Sequence, residues 1–356
     1  MNIAIRVMLV LAGGVGLLIY FRSIIRMMLL NRRERDALQR AAARLVITII
    51  HRLARGKHSQ ARVKRAQAWL MPLFVFTIVA IWFLLVQFSF SLILWGVSAE
   101  PNWSESFVSS GSSLSTLGFR TSKTHLGEWL AVFEASIGLG IVILLFTFVP
   151  GYQTAIQLRE RKGGWLESRT GGNNPACVGL LESLHRTGGT DDAAVWGDWE
   201  AWFRGLLETH SISPVLAYVP SVYRGNWVDT SAVVLDAASL LLLSADSKDR
   251  EAVRICRETG VSALRTIAAE LIGGRPNEVP SNEPHTAAPG PALDSLHGKL
   301  LELGLVVAPD KDRWARSFTT LRADYVPNLR HISRATLMPV QEPWEQPRLD
   351  ESPQVR

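Results

Sequence analysis

Residues Leu70 to Val97 contain no acidic or basic side chain and are crowded with Leu, Phe, Ile, Val and Trp. Crossing the hydrocarbon core of a bilayer takes about 20 such residues, and a buried helix of a soluble protein is rarely so long and so uniformly apolar. A membrane span is therefore predicted here. Two more are predicted, at Ile3 to Tyr20, interrupted only by Arg6, and at Leu126 to Pro150, whose charged residues are Glu128 and Glu134. The first lacks a small-x-small cleavage site ahead of the polar region that follows, so it reads as an uncleaved helix rather than a signal peptide. Its Gly13, Gly14 and Gly16 lie inside an apolar run with no strand before them, which makes them points of close helix approach rather than a nucleotide loop.

Basic residues are retained on the cytoplasmic face of a membrane. Thirteen Lys and Arg fall between Arg22 and Arg65 against only Glu34 and Asp36, whereas Ser98 to Leu126 holds only Arg120 and Lys123. The basic loop is thus expected inside, with the N-terminus outside, the second helix running outward and the third inward, in what reads as a bacterial inner membrane. Much of the net charge of +6 sits in this loop, so its expected partner is anionic lipid rather than nucleic acid. Leu45 to Ile50, between Arg44 and Arg52, is too short to span and suits a helix lying in the interface. Cys177 and Cys256 have no paired spacing and no neighbouring ligands, so no metal or redox role is expected.

The segment from Asn102 to Ser122, NWSESFVSSGSSLSTLGFRTS, sets Phe107, Val108 and Leu114 among small hydroxyl residues before Thr116, Leu117, Gly118 and Phe119. Trp103 to Ser115 is predicted as a short helix entering from the outer face, after which the chain turns back. Backbone of that kind is tolerated at membrane depth only where protein buries it or a wet cavity borders it. Here the sequence resembles the pore region of two-helix potassium channels, which place an outer helix, a re-entrant pore helix, a filter strand and an inner helix in this order. Thr116, Leu117, Gly118 and Phe119 match the first four filter positions, flanked by Ser115. The resemblance implies backbone carbonyls that replace the hydration shell of a monovalent cation, assembly as a homotetramer, and no cofactor. A similar Gly-Phe followed by small hydroxyl residues occurs in the pore loops of bacterial potassium-uptake transporters, but those carry four copies per chain and this chain has one.

The match covers residues 70 to 150 and departs from the family at Arg120, which stands at the second filter glycine, and at Thr121, which replaces the usual acid. Potassium selectivity is not implied. Gly138 and Gly140 lie where inner helices of the family carry a bending glycine, and they serve equally well as close-packing positions against the second helix. Glu134, two turns into the third span, is a functional candidate because an intramembrane carboxylate is costly; the favoured reading pairs it with Arg120 behind the filter, the others leaving it protonated or near the interface.

The expected organisation is a first helix (1–21), a basic loop (22–67), a channel-like unit (68–152, with outer helix 70–97, pore-like loop 102–122 and inner helix 126–150), a linker (153–175), a helical cytoplasmic domain (176–272), a Pro-rich linker (273–292), C-terminal helices (293–335) and a disordered tail (339–356). The fold class is an all-α membrane protein with three transmembrane helices, a re-entrant pore-like loop and a mainly helical cytoplasmic domain. In that domain Trp196, Trp199, Trp202 and Phe203 recur at helical spacing and read as core. Glu208, His210, Asp229 and Asp236 lack ligand spacing and read as surface or capping residues. No phosphate loop or nucleophile elbow is present, so an enzyme is not expected. The functional reading is a channel-like pore protein; the alternative is a non-conducting, membrane-anchored interaction or signalling protein built on a pore-like scaffold.

Overall fold

In a computed structural model of the chain, the described residues are 2–29, 36–54, 60–170, 176–190, 192–223, 225–244, 250–272, 290–305, 310–340, 342, 344 and 345. Every regular element among them is helical. The chain forms two compact units, Met1–Thr154 and Ala155–Arg356.

In the first unit, α1 (Ile3–Ile24) runs into a π-helical turn at Ile25–Leu29 and is followed by α2 (Ala37–Ala54), α3 (Gln60–Ala68), α4 (Leu70–Gly96), α5 (Trp103–Leu114) and α6 (His125–Thr170). The helical stretches Ile3–Met27, Ala61–Gly96 and His125–Thr170 are long and apolar enough to cross a membrane. At 1.5 Å per residue the 27 residues of α4 span about 40 Å, against roughly 30 Å of hydrocarbon. This is a membrane protein.

Small residues bring α1 and α4 together. A methyl group added at Gly13 would meet the Ser89 carbonyl oxygen at 2.5 Å, one at Gly16 the Ser89 hydroxyl at 2.1 Å, and one at Gly96 the Arg6 carbonyl oxygen at 3.0 Å. Gly14 faces open space. Farther along α1, the buried Ser23 hydroxyl donates to Asp36 Oδ2 (2.8 Å) and accepts from Trp82 Nε1 (3.0 Å). Asp36 also receives the Gln39 amide at 2.9 Å and so starts α2. Helix α2 buries Ala42, Val46, Ile50 and Ala54 and exposes Leu45, Ile49 and Leu53.

The second unit contains α7 (Ala176–Arg186), α8 (Ala193–Ile212), a 3₁₀ turn (Pro214–Tyr218), α9 (Trp227–Leu242), α10 (Arg250–Ile272), α11 (Gly290–Glu302), α12 (Lys311–Ala323) and α13 (Val326–Thr336). Trp196, Trp199, Trp202 and Phe203 are all buried core, as their spacing requires. Gly260 lets α10 close on α8 and α9, since an added methyl would meet the Phe203 ring at 2.8 Å and Leu235 at 2.9 Å.

Three expectations differ from the structure. The linker placed from 153 is helical as far as Thr170, because α6 continues through Pro150. Its Arg159, Glu160 and Gly164 are packed against residues of the second unit: an added methyl at Gly164 would meet the Tyr223 ring at 2.4 Å. Over 293–335, where two helices near Leu293 to Leu303 and Asp310 to Ser333 are expected, the described residues form α11, α12 and α13, with Asp324 and Tyr325 ending α12 and Pro327 starting α13. The tail expected to be disordered from 339 is held at its beginning, where Pro339 accepts from Asn226 (2.7 Å) and Glu342 pairs with Arg322 (2.8 Å) and Arg330 (3.3 Å). The Pro-rich linker falls almost wholly outside the described residues, as do 30–35 and 55–59 of the basic loop and 171–175.

Candidate functional site

The segment joining α4 to α6 is built around α5. Asn102 caps it, its side chain accepting the Glu105 amide at 2.9 Å while its own amide group reaches Glu105 Oε1 at 3.3 Å. The first of these satisfies one of the backbone amides that a helix start leaves open. Trp103 stacks on Phe88 and meets Trp95 edge-on, and Phe107 packs on Phe88. Farther along α5, Gln87 Nε2 donates to the Phe107 carbonyl (3.2 Å), and the Ser110 hydroxyl lies 3.0 Å from the Gln87 carbonyl oxygen, which also accepts from Ser91. Gln87 is nine residues before Gly96, roughly 13 Å along α4 from its end.

On the other side, Ser110 touches Glu134 of α6 through a short hydrogen bond. The α5 terminus lies against Gly138, where an added methyl would sit 2.0 Å from the Leu114 carbonyl oxygen. Gly138 is thus a close-packing position, against α5 rather than against the second span, whereas a methyl at Gly140 would meet nothing within 4 Å. Five serines of α5 (106, 109, 110, 112 and 113) are buried with Leu114.

Beyond α5 the backbone alternates in hand. Thr116 (φ 58°) and Gly118 (φ 66°) are left-handed and Leu117 between them is not. Thr116 is the exceptional one, because a β-branched side chain resists that conformation. Alternate amides point back to α5: Thr116 N to the Ser113 carbonyl (2.9 Å), Gly118 N to the Ser112 carbonyl (3.1 Å) and Arg120 N to the Ser112 hydroxyl (2.9 Å). Among the described residues, no hydrogen bond reaches the carbonyl oxygens of Thr116, Leu117, Gly118 or Phe119. Leu117 and Phe119 are 71% and 68% exposed. A concave space of about 350 Å³ adjoins the segment, lined by Ser112, Ser113, Thr116, Gly118 and Thr121 together with Glu128, Ala131, Val132 and Ala135 of α6. The chain then returns to the end of α4, where the Ser122 hydroxyl donates to the Ala99 carbonyl at 2.9 Å.

Arg120 does not meet Glu134, contrary to the favoured expectation. Its Nη2 lies 2.6 Å from Glu105 Oε2 and 3.8 Å from Glu100 Oε2. The charge is balanced by two carboxylates, neither of which the filter-like pattern draws attention to, although Glu105 is visible in the sequence as the partner of a helix cap.

Nor do Glu208, His210, Asp229 and Asp236 form one group. Arg159 Nη1 is 3.4 Å from His210 Nε2 and donates to the Leu216 carbonyl (3.1 Å), Nη2 donates to the Val219 carbonyl (3.0 Å), and the guanidinium pairs with Glu160. Burial first, and the Arg159 charge second, hold the His210 imidazole well below its ordinary pKa. Asp236 instead accepts from Tyr325 (2.6 Å) and Arg322 (2.9 Å) inside the second unit. Both cysteines are buried, and burial pushes the Cys256 thiol up to about 12. Among the described residues no three His, Cys, Asp or Glu side chains gather as a metal-ligand set. No protein-family model, curated protein or solved structure matches the chain.

Proposed function

We propose that this membrane protein is a pore-forming subunit that passes monovalent cations between four copies, with Thr116, Leu117, Gly118 and Phe119 as the ion path and Ser115 and Arg120 at its flanks. One observation carries the reading. The alternate amides of this segment are fastened to the end of α5, while four consecutive carbonyl oxygens have no partner among the described residues. Carbonyls repeated around an axis are the ligands by which a filter replaces the water of a cation, as in the potassium channels from which the general rule is drawn.

Two further features support it. The segment from Trp103 to Ser122 begins and ends beside the end of α4 and in between touches Gln87 and Glu134, each roughly 13 Å along its helix from the end nearer the segment, a course that supports a re-entrant loop. Arg120, whose cation would otherwise repel ions at a mouth, is paired with Glu105 and Glu100. In this reading the hollow beside Thr116 faces a neighbouring copy or the ion path. The basic loop lies in the cytoplasm and the Trp103–Ser122 loop opens outside, because positive residues stay inside. The second unit is then the cytoplasmic domain.

Cation flux into liposomes holding the purified protein tests this. Wild type should conduct, and Gly118→Ala should abolish the flux, because an L side chain in the left-handed region costs about 1–2 kcal/mol and rotates the carbonyls. Arg120→Gly should raise flux or sharpen potassium preference. No flux from wild type and Arg120→Gly in folded tetramers would leave a non-conducting, membrane-anchored scaffold. Flux untouched by Gly118→Ala would send the ions by another route.

A further inference from the structure

Helix α2 has one face inside the protein and one outside. Ala42, Val46, Ile50 and Ala54 are buried, and the helix packs on α4, so Val46 and Ile50 of the apolar run from Leu45 to Ile50 are already used within the chain. The outer face consists of two adjacent columns, each repeating every four residues and so keeping to one line along the helix. Arg40, Arg44, Thr48 and Arg52 form the first, and Ala41, Leu45, Ile49 and Leu53 the second, all eight exposed. Leu45, Ile49 and Leu53 are 53%, 41% and 54% exposed.

The chain itself satisfies neither column. No acidic residue occurs in α1 or anywhere from Ala37 to Ala99, so α1, α3 and α4, the helices on which α2 packs, offer its arginines no carboxylate. Asp36, just before α2, is engaged by the Ser23 hydroxyl and the Gln39 amide. Among the described residues, Arg40, Arg44 and Arg52 form no ion pair.

A ligand that suits both columns joins negative charge to hydrocarbon. A nucleic acid or a free phosphate would meet the arginines and leave Leu45, Ile49 and Leu53 in water. A bilayer meets both, because arginine side chains bend toward headgroups while the apolar residues beside them enter the acyl boundary. The position agrees with this. Ser23, which holds Asp36, lies in the last turn of α1, so α2 starts where the first span ends. We therefore propose that the outer face of α2 binds anionic phospholipid, with Arg40, Arg44 and Arg52 on the phosphates and Leu45, Ile49 and Leu53 among the acyl chains. From Arg40 to Arg52 the column is about 18 Å long, which suits a row of headgroups rather than one isolated phosphate. This binding does not depend on whether ions pass.

The test uses the full chain in nanodiscs of equal parts phosphatidylglycerol and phosphatidylcholine, with a fluorophore on Ile49→Cys in a background lacking Cys177 and Cys256. Bromine carried on the acyl chains of one lipid at a time quenches the label only at close range. Brominated phosphatidylglycerol should quench more than brominated phosphatidylcholine. Each single Arg→Gln change at 40, 44 or 52 should cut that preference by up to about fivefold, and the triple change should erase it. Without any cysteine substitution, the wild-type chain should retain phosphatidylglycerol over phosphatidylcholine through detergent purification, as counted by native mass spectrometry, and the triple variant should not. Absence of quenching by either lipid would put this face in water or against a soluble partner. Equal quenching by both, equal retention of both, or a preference unchanged in the triple variant would take the charge recognition elsewhere, and loss of the preference to added inorganic phosphate would assign the arginines to a free anion. Any of these results would overturn the proposal.

Discussion

Replacing Gly138 and Gly140 one at a time distinguishes tight packing from bending on α6. The Cβ of alanine at 138 would lie 2.0 Å from the Leu114 carbonyl oxygen and 3.0 Å from its carbon. Ordinary contact begins near 3.4 Å, so α5 and α6 must separate by about 1.4 Å or the helix end must rotate. Both contacts are with backbone, which cannot swing aside as a side chain does, and overpacking of this kind costs about 1–3 kcal/mol. At Gly140 the same methyl meets nothing within 4 Å, and alanine there should gain up to about 1 kcal/mol of helix propensity. The purified protein should therefore melt lower as Gly138→Ala and at or above wild type as Gly140→Ala. A cysteine placed at Ser112, in a background lacking Cys177 and Cys256, should react slowly with a thiol reagent in wild type because the site is 1% exposed, and faster in Gly138→Ala. An undiminished melting temperature for Gly138→Ala would refute the close approach. Equal damage from both substitutions would assign the pair to a hinge.

Acidification should weaken the second unit through His210. Its folded pKa lies below the unfolded value of about 6.5, so below pH 6.5 only the unfolded chain takes up the proton, and stability falls by about 1.4 kcal/mol per pH unit. His210→Gln should remove that slope from melting curves taken between pH 7 and 5.5, and an unchanged slope would place the acid sensitivity elsewhere. In the first unit, Gly16→Leu should force α1 off Ser89 and lower the melting temperature, whereas Gly14→Leu, which faces open space, should not; similar losses at both would contradict the packing.

What the sequence discloses and what it hides divide along physical lines. The spans were legible because an unbroken apolar run admits few environments, and α5 because its cap and its hydroxyl-rich pattern are local. The continuation of α6 beyond Pro150 was not. Gly163 and Gly164 among charged residues have the composition of a linker, and only contacts with Tyr223, Asp198 and the carbonyls of Leu216 and Val219 make that stretch a packed helix. The partner of Arg120 was hidden for a similar reason. Glu105 and Glu134 are both near in sequence, and which one it meets depends on the direction in which α5 lies. In the filter-like segment, the left-handed Gly118 was foreseeable from its residue type, but the left-handed Thr116 was not.

The five buried serines of α5 also bear on how the protein is made. A helix that buries hydroxyls rather than hydrocarbon gains little by leaving water alone, since each hydroxyl needs a partner once it is enclosed. Ser110 finds its partners on α4 and α6, and Leu114 finds its gap at Gly138. None of these exists until the two long helices stand side by side. In the proposed re-entrant arrangement α5 therefore gains its partners only after α4 and α6 have come together.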